Sequence, residues 1–204
     1  MALQKEQLEA QSLSEIQIQA KKRNEYYDKV QIDPQDTKTL AVKYVTTPGF
    51  SYKNSNWRRL FYKNQPADKI NDMCYQYLRG MCWVCTYYCN ELVDWSYFYP
   101  YHGAPLIQDL ARYIENNQPK VQPAEMNKTF SKTAAFTPFE QLLAVLPPYS
   151  CQALPECLQQ LMTDPNSPLR SFYPNRYEVD ITEVSQMYQG EVLLPFIDEK
   201  LLRE

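Results

Sequence analysis

Glycine is scarce here, four residues in 204, and fifteen prolines outnumber it. Architectures that wrap a phosphate in a tight turn need glycines at fixed spacing, and neither GxGxxG nor GxxxxGK(S/T) occurs. Rossmann and P-loop folds are disfavoured on that ground. Histidine is scarcer still: His102 stands alone. A serine–histidine–acid triad therefore has one candidate base, and no GxSxG accompanies it. The 24 acidic residues contain no DxD cluster. The converging carboxylates that two-metal phosphodiester hydrolysis requires are missing. Asp198-Glu199 and Glu25/Asp28 read as helix caps and solvated faces. There is no apolar run of eighteen residues, so no segment is expected to span a membrane. The charged start MALQKEQLEAQ lacks the apolar stretch of a secretory leader. The expectation is an intracellular protein, cytoplasmic or nuclear. Its six cysteines, Cys74, Cys82, Cys85, Cys89, Cys151 and Cys157, are then read as reduced thiols. A formal net charge of −3 excludes a globally basic coat and leaves local basic patches open.

What is abundant is the ring. Seventeen tyrosines lie in a chain that is 44% hydrophobic, enough for a sizeable core with many polar-tipped rings. The length fits one domain or a large part of one. Leu13, Ile16 and Ala20 are spaced by three and four, which predicts an amphipathic helix over residues 3–20 that continues into KKRNEYYDKV and stops before Asp33-Pro34. Residues 31–56 read as a loop-rich crossing. From Pro66 to Asn90, Ile70, Met73, Cys74, Tyr77, Met81, Val84, Cys85 and Tyr88 trace one broad apolar face. Gly80 in its middle costs about 1 kcal/mol relative to alanine and marks a close approach of another backbone. Leu106–Asn116 predicts a short helix with Leu106, Leu110, Tyr113 and Ile114 inward, and residues 117–136 a polar loop. Thr137-Pro138-Phe139-Glu140 has the form of a capping box opening another helix, which Pro147 and Pro148 end. A shorter helix is expected around Pro155–Met162, a strand over Tyr177–Ile181, and a final helix capped by Asp198. The fold class is mainly α with a few short strands.

Cys82-x-x-Cys85-x-x-x-Cys89 lacks the second ligand pair of a zinc site, so core thiols are the stronger reading and no metal is assigned. The stretch WSYFYPYHGAP, from Trp95 to Pro105, carries five rings on a bend. The basic run NWRRLFYK interleaves Trp57, Phe61 and Tyr62 with Arg58, Arg59 and Lys63. Rings beside guanidinium groups suit a single-stranded nucleic acid, where phosphate attraction and base stacking act together. Buried rings packing a domain corner are the competing reading, and the residues alone favour it.

The order NWRRLFYK, YLRGMCWVCTYY, DWSYFYPYHGAP, FTPFEQLLAVLP, LMTDPNSPLRSFYP and YQGEVLLPFIDEKLL resembles the Xrn family of 5′-to-3′ exoribonucleases. The similarity covers residues 20–204 and keeps the twelve-residue step from Trp83 to Trp95. It is to the second conserved region only. The resemblance implies a multi-helical region, here residues 31–204 led in by the helix of residues 1–30 and cut short at its C-terminus. Such a region packs on a separate α/β nuclease region, present in cis or on another chain. That other region would hold Mg²⁺ and the pocket for the 5′-monophosphate, so this chain carries no catalytic residue and is expected to be inactive alone. The implied partner is single-stranded RNA, with Trp95 and Tyr97 stacking bases and Arg58, Arg59 and His102 supporting the path. His102 stays open between a structural histidine holding the turn and one lining the path. Arg58 and Arg59 stay open between packing against the catalytic region and touching phosphate. Tyr97, Gly103, Glu91 and Tyr188 depart from the family's usual tryptophan, tyrosine, glycine and tryptophan. The rival reading is a non-catalytic interaction or scaffold subunit derived from such a nuclease.

Overall fold

The computed structural model describes residues 2–29, 41–89, 94–182 and 184–204, with side chains omitted for residues 2–14 and 27. Asp33, Pro34 and Glu91 lie outside the described residues. The chain forms two compact units. One combines the segment ending at Phe50 with Pro138–Glu204, and the other is Ser51–Thr137.

The first unit is built on a small sheet. Strand β1 (Ala41–Val45) pairs in parallel with β2 (Arg176–Asp180), and β3 (Glu191–Leu193) adds antiparallel to β2, giving the order β1-β2-β3. In register, Ala41 lies opposite Arg176 and Val45 opposite Asp180. Helix α1 (Ala2–Lys29) covers this sheet: Ile16 and Ala20, one turn apart, bury against Val179 and Ile181, with Val42, Tyr44, Tyr177 and Met187 around them. The 3.6-residue period of the helix puts these two apolar side chains on one line, as the sequence pattern requires. Asn24 on α1 accepts the Tyr44 N–H and donates to the Tyr44 carbonyl, both at 2.8 Å. An edge-strand peptide is thereby satisfied by a side-chain amide. Gly190 admits no side chain: a Cβ there would sit 2.5 Å from Val179 Cγ1 and 3.0 Å from Ile181 Cγ2. The helices α6 (Pro138–Val145), α7 (Glu156–Thr163) and α8 (Glu199–Arg203) complete this unit. Asp198 caps α8 by accepting the Lys200 and Leu201 N–H groups, satisfying donors at the helix start.

The second unit holds α2 (Trp57–Phe61), α3 (Ala67–Cys89), α4 (Ile107–Asn116) and α5 (Pro123–Asn127). Ile70 and Cys74 on α3, Leu110 on α4 and Met126 on α5 are buried.

The chain is mainly helical with few strands, as its sequence pattern predicts. Three local expectations are corrected. The crossing of residues 31–56 contains β1, whose five residues gain their order from pairing with a strand far along the chain. The loop of residues 117–136 contains α5, which exists because Met126 is 1% exposed beneath α3 and its thioether lies 3.8 Å from Cys82 Sγ. The core thiols are also fewer than expected: Cys74 is buried and Cys82 half-buried, whereas Cys85 and Cys89 are exposed. They share this exposure with Met81, Val84, Tyr87 and Tyr88, so the apolar stripe of α3 is covered at its N-terminal end and open at its C-terminal end.

Candidate nucleic-acid interface

The aromatic corner after α3 is held at both ends by α3 itself. At its start, the Trp83 indole N–H donates to the Asp94 carbonyl at 2.7 Å. This contact gives the twelve-residue step between Trp83 and Trp95 a physical reason: the first tryptophan fixes the peptide that leads into the second. Next, the Tyr97 hydroxyl donates to the Gln76 carbonyl at 2.8 Å and would stand 3.1 Å from a Cβ at position 80. Gly80 therefore makes room for a side chain rather than a backbone. At its far end, the Tyr101 hydroxyl donates to Asp72, Lys69 sits over the Tyr101 ring, and Tyr99 packs edge-on against Tyr77. Burial and the Asp72 contact push the Tyr101 phenol up to about 12.

The two proposed stacking rings are placed differently. Trp95 is 51% exposed. Tyr97 is half-buried, with Arg79 over its ring at 4.8 Å, Phe130 edge-on at 5.4 Å and Trp83 tilted at 6.1 Å. Burial raises its pKa despite the opposing Arg79 charge. Phe98 is exposed to the same degree as Trp95, and His102 is exposed beyond it. Position 103 faces open space, with nothing within 4 Å of where a Cβ would stand.

Asp94 lies at the foot of Trp95 with 5% exposure. It accepts from Ser96 Oγ at 2.7 Å, from the Ser96 N–H at 3.1 Å, from Thr133 Oγ1 at 3.3 Å and from the Ser131 N–H at 3.3 Å. Arg79 stands 3.9 Å away. Burial alone raises this carboxyl's pKa, and the four hydrogen bonds outweigh it, leaving it below the ordinary value.

Arg58 and Arg59 diverge. Arg58 donates to both oxygens of Asp109 on α4, at 2.6 and 3.2 Å, and the Tyr62 hydroxyl adds a third bond at 2.7 Å. Asp109 is 6% exposed, and its hydrogen bonds hold its pKa low against the opposing effect of burial. The same hydrogen bond raises the Arg58 pKa. The Tyr62 hydroxyl also accepts the Leu106 N–H at 2.9 Å, so one cluster, with Asp109 and Tyr62 buried and Arg58 exposed, joins α2, the corner's exit and α4. Arg59, on the same short helix, is exposed. A cavity of about 750 Å³ along α3 and α4 is lined by Asn71, Asp72, Tyr75, Tyr113 and Lys120, and meets the corner only through Asp72, the partner of Tyr101.

The sequence reading missed Asp94, Thr133, Arg79 and Asp109. Asp94-Trp95-Ser96 carries a legible signal, since an aspartate two residues before an N–H forms a local side-chain turn. Thr133 and Asp109 meet their partners only through the fold. No group of three or more potential metal ligands occurs among the described residues.

The arrangement defines a helical module with a rigidly backed aromatic corner. The chain belongs to the family described as the Xrn1 helical domain, whose profile matches residues 2–204. It is similar to 5′-3′ exoribonuclease 2 of Arabidopsis thaliana, 38% identical over 72% of this chain and 14% of that protein. It is similar also to 5′-3′ exoribonuclease 2 of Schizosaccharomyces pombe, 40% identical over 66% of this chain and 13% of that protein. The protein of that name in Gallus gallus is 35% identical over 73% of this chain and 15% of its own length. The chain thus spans about a seventh of the curated relatives it matches.

Proposed function

We propose that this chain forms the RNA path of a 5′-3′ exoribonuclease acting on 5′-monophosphorylated RNA, with the metal-binding carboxylates supplied by a separate region. The observation that carries this reading is Trp95: a half-exposed indole on a backbone held by the Thr133 hydroxyl and the buried Asp94 carboxylate, in a chain whose relatives are named exoribonucleases. A base stacked on it gains about 1–3 kcal/mol. Tyr97 backs the corner from inside, Arg59 and His102 offer polar contacts along the strand, and Arg58 holds α2 in place. Mg²⁺ belongs to the catalytic region, in cis or on another chain, which the open C-terminal end of the α3 stripe receives.

Two measurements test this. Binding of a fluorescein-labelled oligouridylate should weaken about fivefold or more in Trp95→Ala, and Arg59→Ala should lower the salt dependence by about one counterion. Unchanged binding in Trp95→Ala overturns the RNA-path reading. The purified 204-residue chain should release no mononucleotides from 5′-monophosphorylated RNA with Mg²⁺, and turnover would show that the chemistry resides here after all. The open face of α3 also favours a second reading, a docking subunit that touches no RNA. Capture of a nuclease chain without any oligouridylate binding would select it.

A further inference from the structure

We infer that Asp94 and Thr133 are positioning residues that fix the backbone from which the Trp95 indole projects for base stacking, an inference that rests on the RNA-path reading above. The Trp95 N–H donates to Thr133 Oγ1 at 2.6 Å, and that hydroxyl donates on to Asp94 Oδ1 at 3.3 Å. The Ser96 N–H is shared between the same two oxygens, at 3.1 Å each. Both peptide N–H groups around the Trp95 Cα therefore end on one hydroxyl and one carboxylate oxygen. The second carboxylate oxygen takes the Ser131 N–H and faces Arg79. Arg79 in turn donates to the Thr129 carbonyl at 3.0 Å and lies over Phe130 at 4.9 Å, tying the segment that carries Thr133 back to α3. The Trp83 indole closes the set from the other side, on the Asp94 carbonyl.

The chemistry of this cluster is one-sided. Every group around the carboxylate is a donor, so only a side chain with two acceptor oxygens satisfies it. An asparagine would turn an amide donor toward the Ser131 N–H or toward the Ser96 and Thr133 donors, and would remove the charge facing Arg79. A valine at position 133 would keep the shape of threonine and leave the Trp95 N–H without its acceptor. A serine there would keep the hydroxyl. Exposed rings ordinarily sample several rotamers, and ordering one on binding is a cost that a fixed backbone reduces.

The test labels the full chain with 5-fluorotryptophan and follows the Trp95 fluorine resonance, assigned with Trp95→Phe, beside oligouridylate binding. In Thr133→Val and Asp94→Asn the Trp95 line should shift or broaden while that of Trp57 holds, and binding should weaken about fivefold. Thr133→Ser should restore both. A steady Trp57 line and an unchanged circular-dichroism spectrum exclude general unfolding as the cause. A Trp95 line unmoved in Thr133→Val and Asp94→Asn overturns the inference. If Trp95→Ala binds oligouridylate as the parent does, the RNA-path reading fails instead, and the fluorine line still decides whether Asp94 and Thr133 fix the ring.

Discussion

Adjacent on one turn of α2, Arg58 and Arg59 are both exposed and differ in what their guanidinium groups reach. Arg58 places two N–H groups on a carboxylate that is almost fully buried, and Arg59 faces water. Removing Arg58 leaves Asp109 with the Tyr62 phenol and Arg112, 3.7 Å away, so Arg58→Ala should cost about 1–3 kcal/mol in denaturant unfolding. Arg59→Ala should stay within about 0.5 kcal/mol. A sequence cannot separate the two, because both sit in the same basic run. Only the fold brings Asp109 from α4 to one of them. The buried acids also set the acid limb of stability. Burial on its own raises the Asp109 and Asp94 pKa values, yet the hydrogen bonds onto each outweigh it, so both lie below the unfolded value. Around that value, near pH 4, the unfolded chain binds more protons than the folded one. Their contribution is therefore complete above about pH 5 and is lost as pH falls through the ordinary carboxylate range toward the depressed folded values. In acid titrations followed by circular dichroism, Asp109→Asn should show a lower plateau and a shallower loss than the parent.

Two glycines decide how elements meet. Gly190→Ala drives a methyl into Val179 on β2 and Ile181 just after it and should cost about 1–3 kcal/mol. Gly80→Ala sets a gain in helix propensity of about 1 kcal/mol against a contact with the pinned Tyr97 hydroxyl. The gain should emerge fully in a Tyr97→Phe background and be smaller in the parent, which a double-mutant cycle by thermal unfolding resolves. The elements legible in the sequence were those with a period or a cap of their own. Ile70, Cys74 and Tyr77 repeat along α3, Pro138 opens α6, and Asp198 caps α8. The elements that stayed hidden are held by remote partners: β1 by β2, and α5 by the buried Met126. The candidate interface divides the same way. Trp95 stood out as a ring on a bend, whereas the inward packing of Tyr97 depends on Arg79 and Phe130, and no spacing rule brings those three side chains together.

Across the whole chain, the C-terminal end of α3 presents Met81, Val84, Tyr87 and Tyr88 to solvent, each more than 40% exposed. Contiguous apolar patches of this kind recruit dyes and partners. The isolated chain should bind an apolar fluorescent dye and self-associate as its concentration rises, in light scattering. Met81→Glu with Tyr88→Glu should suppress both with little change in the unfolding midpoint. The two units also differ in how far apart their contacting residues lie along the chain. The unit from Ser51 to Thr137 is continuous, while β1 must wait for Arg176–Asp180 before its parallel pairing closes. Pairings that span so much chain form late, and local helical ones form early. During synthesis the tyrosine-rich middle would therefore acquire its shape while the first strand still lacks its partner strand. Pulse-labelled amides should gain protection in α3 and α4 before they do so in β1.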